Sequence, residues 1–228
     1  MSREQRTGVP ASRDTCPLRV PGSVTGVDVL VPRPRIERWV RNFEASHGDT
    51  SLVVAEGALR GAAADGSTFA ARLPFDSAYD GPADAARFAE TVLPPADWGV
   101  LLVRKGGFAI ARLAGDTVRD SKTGQRHVQG RTKAGGQSQQ RFARRRDNQA
   151  RQAFEAAADH AARILADLDG PVVTGGDRTA VDEVLADPRL TRLTPVGPWL
   201  AVPDPRRSVL EQAVTDACSA RIDVHNAG

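Results

Sequence analysis

This 228-residue chain is short of the residues that staple or anchor small proteins. It carries two cysteines, Cys16 and Cys218, near opposite ends and in no metal-ligand spacing. Neither a disulfide framework nor a structural zinc site is expected, and a reducing cytoplasm is the expected compartment. No run of eighteen apolar residues occurs, which argues against a membrane-spanning helix. The opening residues, MSREQRTGVPASRDT, contain no apolar core, so no secretory signal is expected. Lysine is scarce, appearing only at 105, 122 and 133, so nearly all positive charge is arginine. Arginine's planar fork suits phosphate better than an ammonium does, although a GC-rich genome would produce the same skew. What is present is a globular balance: 40% hydrophobic, 26% charged, mean hydropathy −0.35. That length allows one large domain or two small ones with a real core.

Charge is distributed unevenly. The formal net charge is +3. Between Arg119 and Arg151 stand ten basic residues and only two acids, Asp120 and Asp147, giving +8; the remainder of the chain carries −5. A mildly acidic protein thus holds one strongly basic segment, a pattern that usually faces a polyanion.

Residues 1–25 are polar, rich in Pro, Gly and Ser, and read as a mobile tail. After the breaker VPRP, Arg35–His47 places Ile36, Trp39, Val40 and Phe43 at helical spacing. Ser51–Ala55 and Ser67–Leu73 read as strands around a turn at Asp65-Gly66, and Asp84–Leu93 as a helix stopped by Pro94-Pro95. Trp98–Arg104 and Phe108–Leu113, joined by Lys105-Gly106-Gly107, form the clearest hairpin, with a further short strand at Asp116–Arg119. A patternless loop, SKTGQRHVQGRTKAGGQ, follows; loops of this length in compact domains are usually functional or disordered. A long helix is predicted from Ser138 to about Asp169, with Ala150, Phe154, Ala157, Ala161, Ile164 and Leu168 as its stripe, ended by Gly170-Pro171. Strand Val172–Thr174, helix Thr179–Ala186, a strand near Leu190–Val196 and a helix Arg206–Ile222 complete the chain. The expected class is α/β: a mixed sheet covered by helices. The expected divisions are a tail (1–25), an N-terminal α/β portion (26–97) that either completes the same sheet or forms a small subdomain, and a catalytic portion (98–228).

The chemistry is concentrated in Lys133–Arg146, KAGGQSQQRFARRR. Two consecutive glycines, Gly135 and Gly136, let the backbone approach a ligand with no Cβ in the way. Gln137 follows, offering amide donors and an acceptor without titrating. A helix start then leaves free N–H groups beside arginines. Arg141 and Arg145 lie one turn apart with Arg144 alongside, a crowding that an anion would relieve.

These residues resemble the catalytic loop of eukaryotic and archaeal class-1 translation termination factors, which carry GGQ followed by S-x-x-R-F-A-R. Here the match is Gly135-Gly136-Gln137-Ser138 and then Arg141-Phe142-Ala143-Arg144. The hairpin upstream (VLLVRKGGFAIARLAGDTV) and the segment downstream (VVTGGDRTAVDEVL) resemble the rest of that family's middle domain, so the likeness spans roughly residues 98–215. No codon-reading domain is expected within these 228 residues. Chain-terminating chemistry without codon reading resembles the VLRF-type peptidyl-tRNA hydrolases, in a minimal form without their ankyrin repeats or zinc finger.

The resemblance implies an RNase H-like fold and a codon-independent hydrolase of the peptidyl-tRNA ester. Gly135, Gly136 and Gln137 would be catalytic, with Lys122, Arg126, Arg131, Lys133, Arg141, Arg144, Arg145 and Arg146 on RNA. It implies no cofactor or metal, no membrane, a monomer, and as partners the large ribosomal subunit, its rRNA and peptidyl-tRNA. Cleavage near the tRNA 3′ CCA end and a non-catalytic RNA-binding role are the alternatives. Other features read more simply: Gly106-Gly107 as a turn, Gly175-Gly176-Asp177 as a plain connection, Phe142 and the tryptophans Trp39, Trp98 and Trp199 as core. His47 and His225 read as surface residues, His160 has no assigned role, and His127 sits in the basic loop. Asp65, Asp76, Asp80 and Asp84 read as turn and cap residues rather than metal ligands.

Overall fold

The computed structural model describes residues 26–125 and 137–227, with side chains in its longest helix from Arg151 onward. In chain order the first elements are β1 (Val27–Val31), α1 (Ile36–His47), β2 (Thr50–Ala55), β3 (Ala58–Ala63), β4 (Thr68–Arg72) and α2 (Ala85–Thr91). Then come β5 (Trp98–Arg104), β6 (Gly107–Ala114), β7 (Thr117–Gln125) and α3 (Gln137–Ile164). The chain finishes with β8 (Val172–Gly176), α4 (Arg178–Leu185), β9 (Pro195–Leu200), α5 (Arg207–Ala217) and β10 (Ala220–His225).

These strands make two five-stranded sheets. The first has the order β1-β10-β4-β3-β2 and is antiparallel throughout. One of its faces is covered by α1 and α2 because their apolar stripes need burial: Ile36, Val40 and Phe43 from α1 meet Leu59, Phe69 and Ile222. Trp39 and Phe43 both set their rings edge-on to Phe69, at 5.2 and 5.0 Å between centroids, a geometry that adds to area burial. The carboxylate of Asp84 accepts the Arg87 N–H at 2.8 Å and so caps α2, which contributes about 1 kcal/mol.

The second sheet has the order β7-β6-β5-β8-β9. β7, β6 and β5 form an antiparallel meander, whereas β8 and β9 run parallel to β5. The mixed sheet expected from strand–helix alternation is therefore this one. α3 and α4 cover one face and α5 the other. Burial on both faces explains why β5 is apolar from end to end: all residues from Trp98 to Val103 are buried. Of the predicted stripe, Phe154, Ala157, Ala161, Ile164 and Leu168 are all buried, and Ala150 lies outside the described side chains.

Arg112 ties α3 to the sheet. Its Nε and Nη2 donate to the Asp97 carboxylate at 2.9 and 2.8 Å, while Nη1 donates to the Ala166 carbonyl and Nη2 to that of Asp167 at 3.2 Å. One guanidinium thus satisfies two carbonyls of the turn that follows α3 and a carboxylate beside it. The Asp97 carboxyl is held below the usual carboxylate range, chiefly by its hydrogen bonds from Arg112.

Several sequence expectations shift. β3 stands between the two strands expected around the Asp65-Gly66 turn, and its Ala- and Gly-rich sequence shows no alternation. β7 continues to Gln125, through residues expected to be loop; it is a polar edge strand whose existence depends on pairing with β6. The strand expected near Leu190–Val196 sits at Pro195–Leu200. The closing helix ends at Ala217, and β10 follows because Ile222 is needed in the core of the first sheet. α3 ends at Ile164, before the expected Asp169. The expected tail, residues 1–25 with Cys16, lies outside the described residues.

Candidate functional site

Of the sequence-predicted site residues, Arg126, Arg131, Lys133, Gly135 and Gly136 lie outside the described residues, as does His127. Lys122 is exposed on β7, opposite Ile110 of β6. Gln137 is the first residue of α3, and Arg141, Arg144, Arg145 and Arg146 follow within the helix's first three turns. A helix beginning at Gln137 leaves the N–H groups of its first turn without intrahelical acceptors and puts the positive end of its dipole there. The first buried side chain among those described on α3 is Ala153. At 1.5 Å rise per residue, Gln137 stands about 24 Å further along the axis. The buried side chains described on α3 thus begin well along the helix from its first residue.

Strand β7, which leads into the motif segment, is braced against the C-terminal half of α3. Asp120 on the incoming strand β7 pairs with Arg163 of α3 at 2.9 Å. Phe108 on β6 stacks against His160 of α3 at 5.5 Å between centroids. Gly124 makes this fit possible, since a Cβ there would lie 2.4 Å from Phe108 Cε1. Ser121 on β7 accepts at 3.4 Å from Arg207 at the start of α5. Strand β7, hairpin β5–β6 and the C-terminal half of α3 therefore pack together near Gln125, where β7 ends.

Topology adds basic residues that reading along the chain did not single out. Gln125 pairs with Gly107, and Gly107 with Arg104, so β7 ends at the end of the sheet at which the parallel strands β5, β8 and β9 finish. Ligands of open α/β sheets bind at that end. Exposed Lys105, Arg178, Arg206 and Arg207 stand there. Arg104 Nη1 donates to the Val202 carbonyl at 2.8 Å, and its Nε lies 3.8 Å from Asp204. Arg178 lies over the Trp199 ring, 4.3 Å from the centroid. The signal that identifies this group is strand order, which requires knowing that β5, β8 and β9 are neighbours.

The simpler readings divide. Asp65 accepts the Ser67 N–H at 2.8 Å and Asp84 caps α2. Asp76 instead reaches across to the second sheet and accepts the Gly197 N–H at 2.8 Å. Trp98 is fully buried, whereas Trp39 and Trp199 are half-buried. His47 pairs with Asp65 and His225 with Asp223. Gly175 and Gly176 are strand residues; Gly176 has φ +102, and a side chain there would strike the Val103 carbonyl. Burial raises the Cys218 thiol to about 12, leaving it inert. Among the described residues no three His, Cys, Asp or Glu cluster as metal ligands do, and no helix is long and apolar enough to cross a membrane.

Two solved structures resemble the chain distantly. One, titled Vms1 mitochondrial localization core, aligns with a TM-score of 0.38 and 13% identity over 82% of this chain and 81% of its own. The other, Archaeoglobus fulgidus Pelota, aligns at 0.30 and 11% over 84% of this chain and 62% of its own. No curated protein matches. Residues 96–223, from just before β5 into β10, match the profile of the Actinobacteria/chloroflexi VLRF1 release factors. The chain belongs to the Actinobacteria/chloroflexi VLRF1 release factor family.

Proposed function

We propose that this protein is a codon-independent peptidyl-tRNA hydrolase that frees nascent chains from stalled ribosomes or large subunits in the cytoplasm. The observation that carries the reading is the run Gly135-Gly136-Gln137-Ser138, continued by Arg141-Phe142-Ala143-Arg144, at the head of a 28-residue helix in a release factor family member.

The reaction is ester hydrolysis. Water adds to the acyl carbon of the peptidyl ester, the bond to the tRNA ribose oxygen breaks, and a proton from water ends on that oxygen. Negative charge develops on the carbonyl oxygen in the transition state, and the Gln137 backbone N–H is the donor aimed at it. Such a donor acts on charge absent from the ground state, so it accelerates the step rather than merely tightening binding. Gly135 and Gly136 let the backbone come close to the tRNA terminus, and the Gln137 amide confines the entering water. Lys122, Arg126, Arg131, Lys133, Arg141, Arg144, Arg145 and Arg146 neutralise rRNA and tRNA phosphates around the loop, joined by Lys105, Arg178, Arg206 and Arg207 at the end of the sheet.

The test is product analysis. Purified protein is incubated with large subunits bearing peptidyl-tRNA, and the released peptide and tRNA are weighed by mass spectrometry. A free peptide carboxylate with an intact CCA end is expected. A truncated tRNA end, or unchanged substrate at saturating protein, would contradict the reading.

A further inference from the structure

The seam between the two sheets holds a cleft of about 250 Å³, on the opposite side of the first sheet from α1 and α2. One wall carries Arg72 of β4 and Arg221 of β10, which stand directly opposite each other in antiparallel register. Like charges in that position repel. Other arginines nearby have acidic partners, as Arg60 has Glu56 and Arg112 has Asp97. Arg72 and Arg221 make no ion pair or hydrogen bond with any described residue. Arg72 is half-buried and Arg221 exposed at the mouth.

The facing wall is built at a conformational cost. Phe75 and Asp76 have φ values of 59° and 53°, a left-handed region that side-chain-bearing residues rarely adopt. Two contacts hold them there: the buried Phe75 ring lies 5.0 Å from that of Trp98, and Asp76 accepts the Gly197 N–H at 2.8 Å. Both acidic side chains lining the cleft thus have partners, Asp76 on Gly197 and Glu56 on Arg60. Arg72 and Arg221 are the charged side chains of the cleft with no hydrogen-bond or ion-pair partner among the described residues, and the Ser77 hydroxyl, likewise without one, also lines it.

We propose that this cleft is a phosphate-binding site anchored by Arg72 and Arg221. A phosphate between them turns the cross-strand repulsion into two charge-assisted contacts, and its several oxygens can accept from both forks at once. The phosphate can come from a free mononucleotide or from an RNA backbone; the recognition chemistry is shared. The site is remote in sequence from the Gly135–Arg146 segment, and its failure would leave the hydrolase reading intact.

Binding of inorganic phosphate, adenosine monophosphate and a short oligouridylate is followed by NMR at the amides of residues 71–73 and 219–222. Wild type is compared with R72Q, R221Q and the exposed α1 control R38Q. Saturable shifts are expected at those amides. Removing either guanidinium should weaken the site by about tenfold or more, and R38Q should leave it unchanged. Tighter binding of the mononucleotide than of phosphate assigns a free ligand, and tighter binding of the oligomer assigns RNA. Exchanging chloride for phosphate at equal ionic strength should raise the melting temperature of wild type and not of R221Q. Absence of saturable shifts with all three probes, or equal affinity in R221Q, would overturn the proposal.

Discussion

Replacing Arg112 by Met removes one guanidinium and four hydrogen bonds, and the structure gives the expected cost. Two bonds are charge-assisted contacts to Asp97 at 2.8 and 2.9 Å; two reach the carbonyls of Ala166 and Asp167 in the turn after α3. Hydrogen bonds to charged groups contribute about 1.5–3 kcal/mol each when buried. The Arg112 and Asp97 side chains are 27% and 35% exposed, so water recovers much of that, leaving about 2–3 kcal/mol for the set. For a chain of this size the melting temperature should fall by roughly 5 °C. Asp97 also fixes the sign of the pH dependence. Its carboxyl is depressed in the folded state, so its contribution is complete above the unfolded value of about 3.9 and is lost as pH falls below it. Urea unfolding followed by circular dichroism at neutral pH and in acid checks both points, with Arg112→Lys as the variant that keeps charge but loses the fork. A difference below about 0.5 kcal/mol, or a gap that does not shrink in acid, would refute the reasoning.

Further outcomes follow from close contacts and charge. Gly170→Ala would place a Cβ 1.6 Å from the Asp97 carbonyl oxygen, where only backbone can yield; a loss of about 3 kcal/mol is expected in the same unfolding assay. Gly124→Ala would drive a methyl into the Phe108 ring that braces α3. It should cost about 1–2 kcal/mol and slow peptide release more than it weakens ribosome binding, as parallel single-turnover and sedimentation measurements would show. Lys105→Ala and Arg178→Ala should each flatten the log–log salt dependence of large-subunit binding by about 0.7–0.9, and an unchanged slope would remove those residues from the interface.

What was legible in the sequence is what local pattern specifies. The Lys105-Gly106-Gly107 hairpin, the apolar stripe from Phe154 to Leu168 and the Asp84 cap each depend on residues within a few positions, and all are where expected. β3 and the second half of β7, beyond the short strand expected at Asp116–Arg119, were hidden because neither alternates; their partners, not their own side chains, make them strands. β10 was absorbed into a predicted helix because Arg206–Ile222 stays apolar at helical spacing up to Ala217, and only pairing with β1 and β4 ends that pattern. Contacts across long sequence distances, such as Asp76 to Gly197 and Arg104 to Val202, leave no local trace. The candidate site shows the same division. Gly135-Gly136-Gln137 and the arginines that follow are a contiguous string, whereas Lys105, Arg178, Arg206 and Arg207 come together only through the order of β5, β8 and β9.

The catalytic claim concerns one backbone hydrogen, so the most direct measurement deletes that hydrogen and little else. Proline is compatible with the first position of a helix and lacks an N–H, which makes Gln137→Pro the informative variant beside Gln137→Ala. Single-turnover release from large subunits bearing peptidyl-tRNA would be measured at saturating protein, with binding determined separately. Losing an oxyanion donor costs about 3 kcal/mol of barrier, so Gln137→Pro should release peptide at least a hundredfold more slowly than wild type while binding equally well. A Gln137→Pro protein that binds normally and releases at the wild-type rate would show that the amide hydrogen at position 137 takes no part in the chemistry.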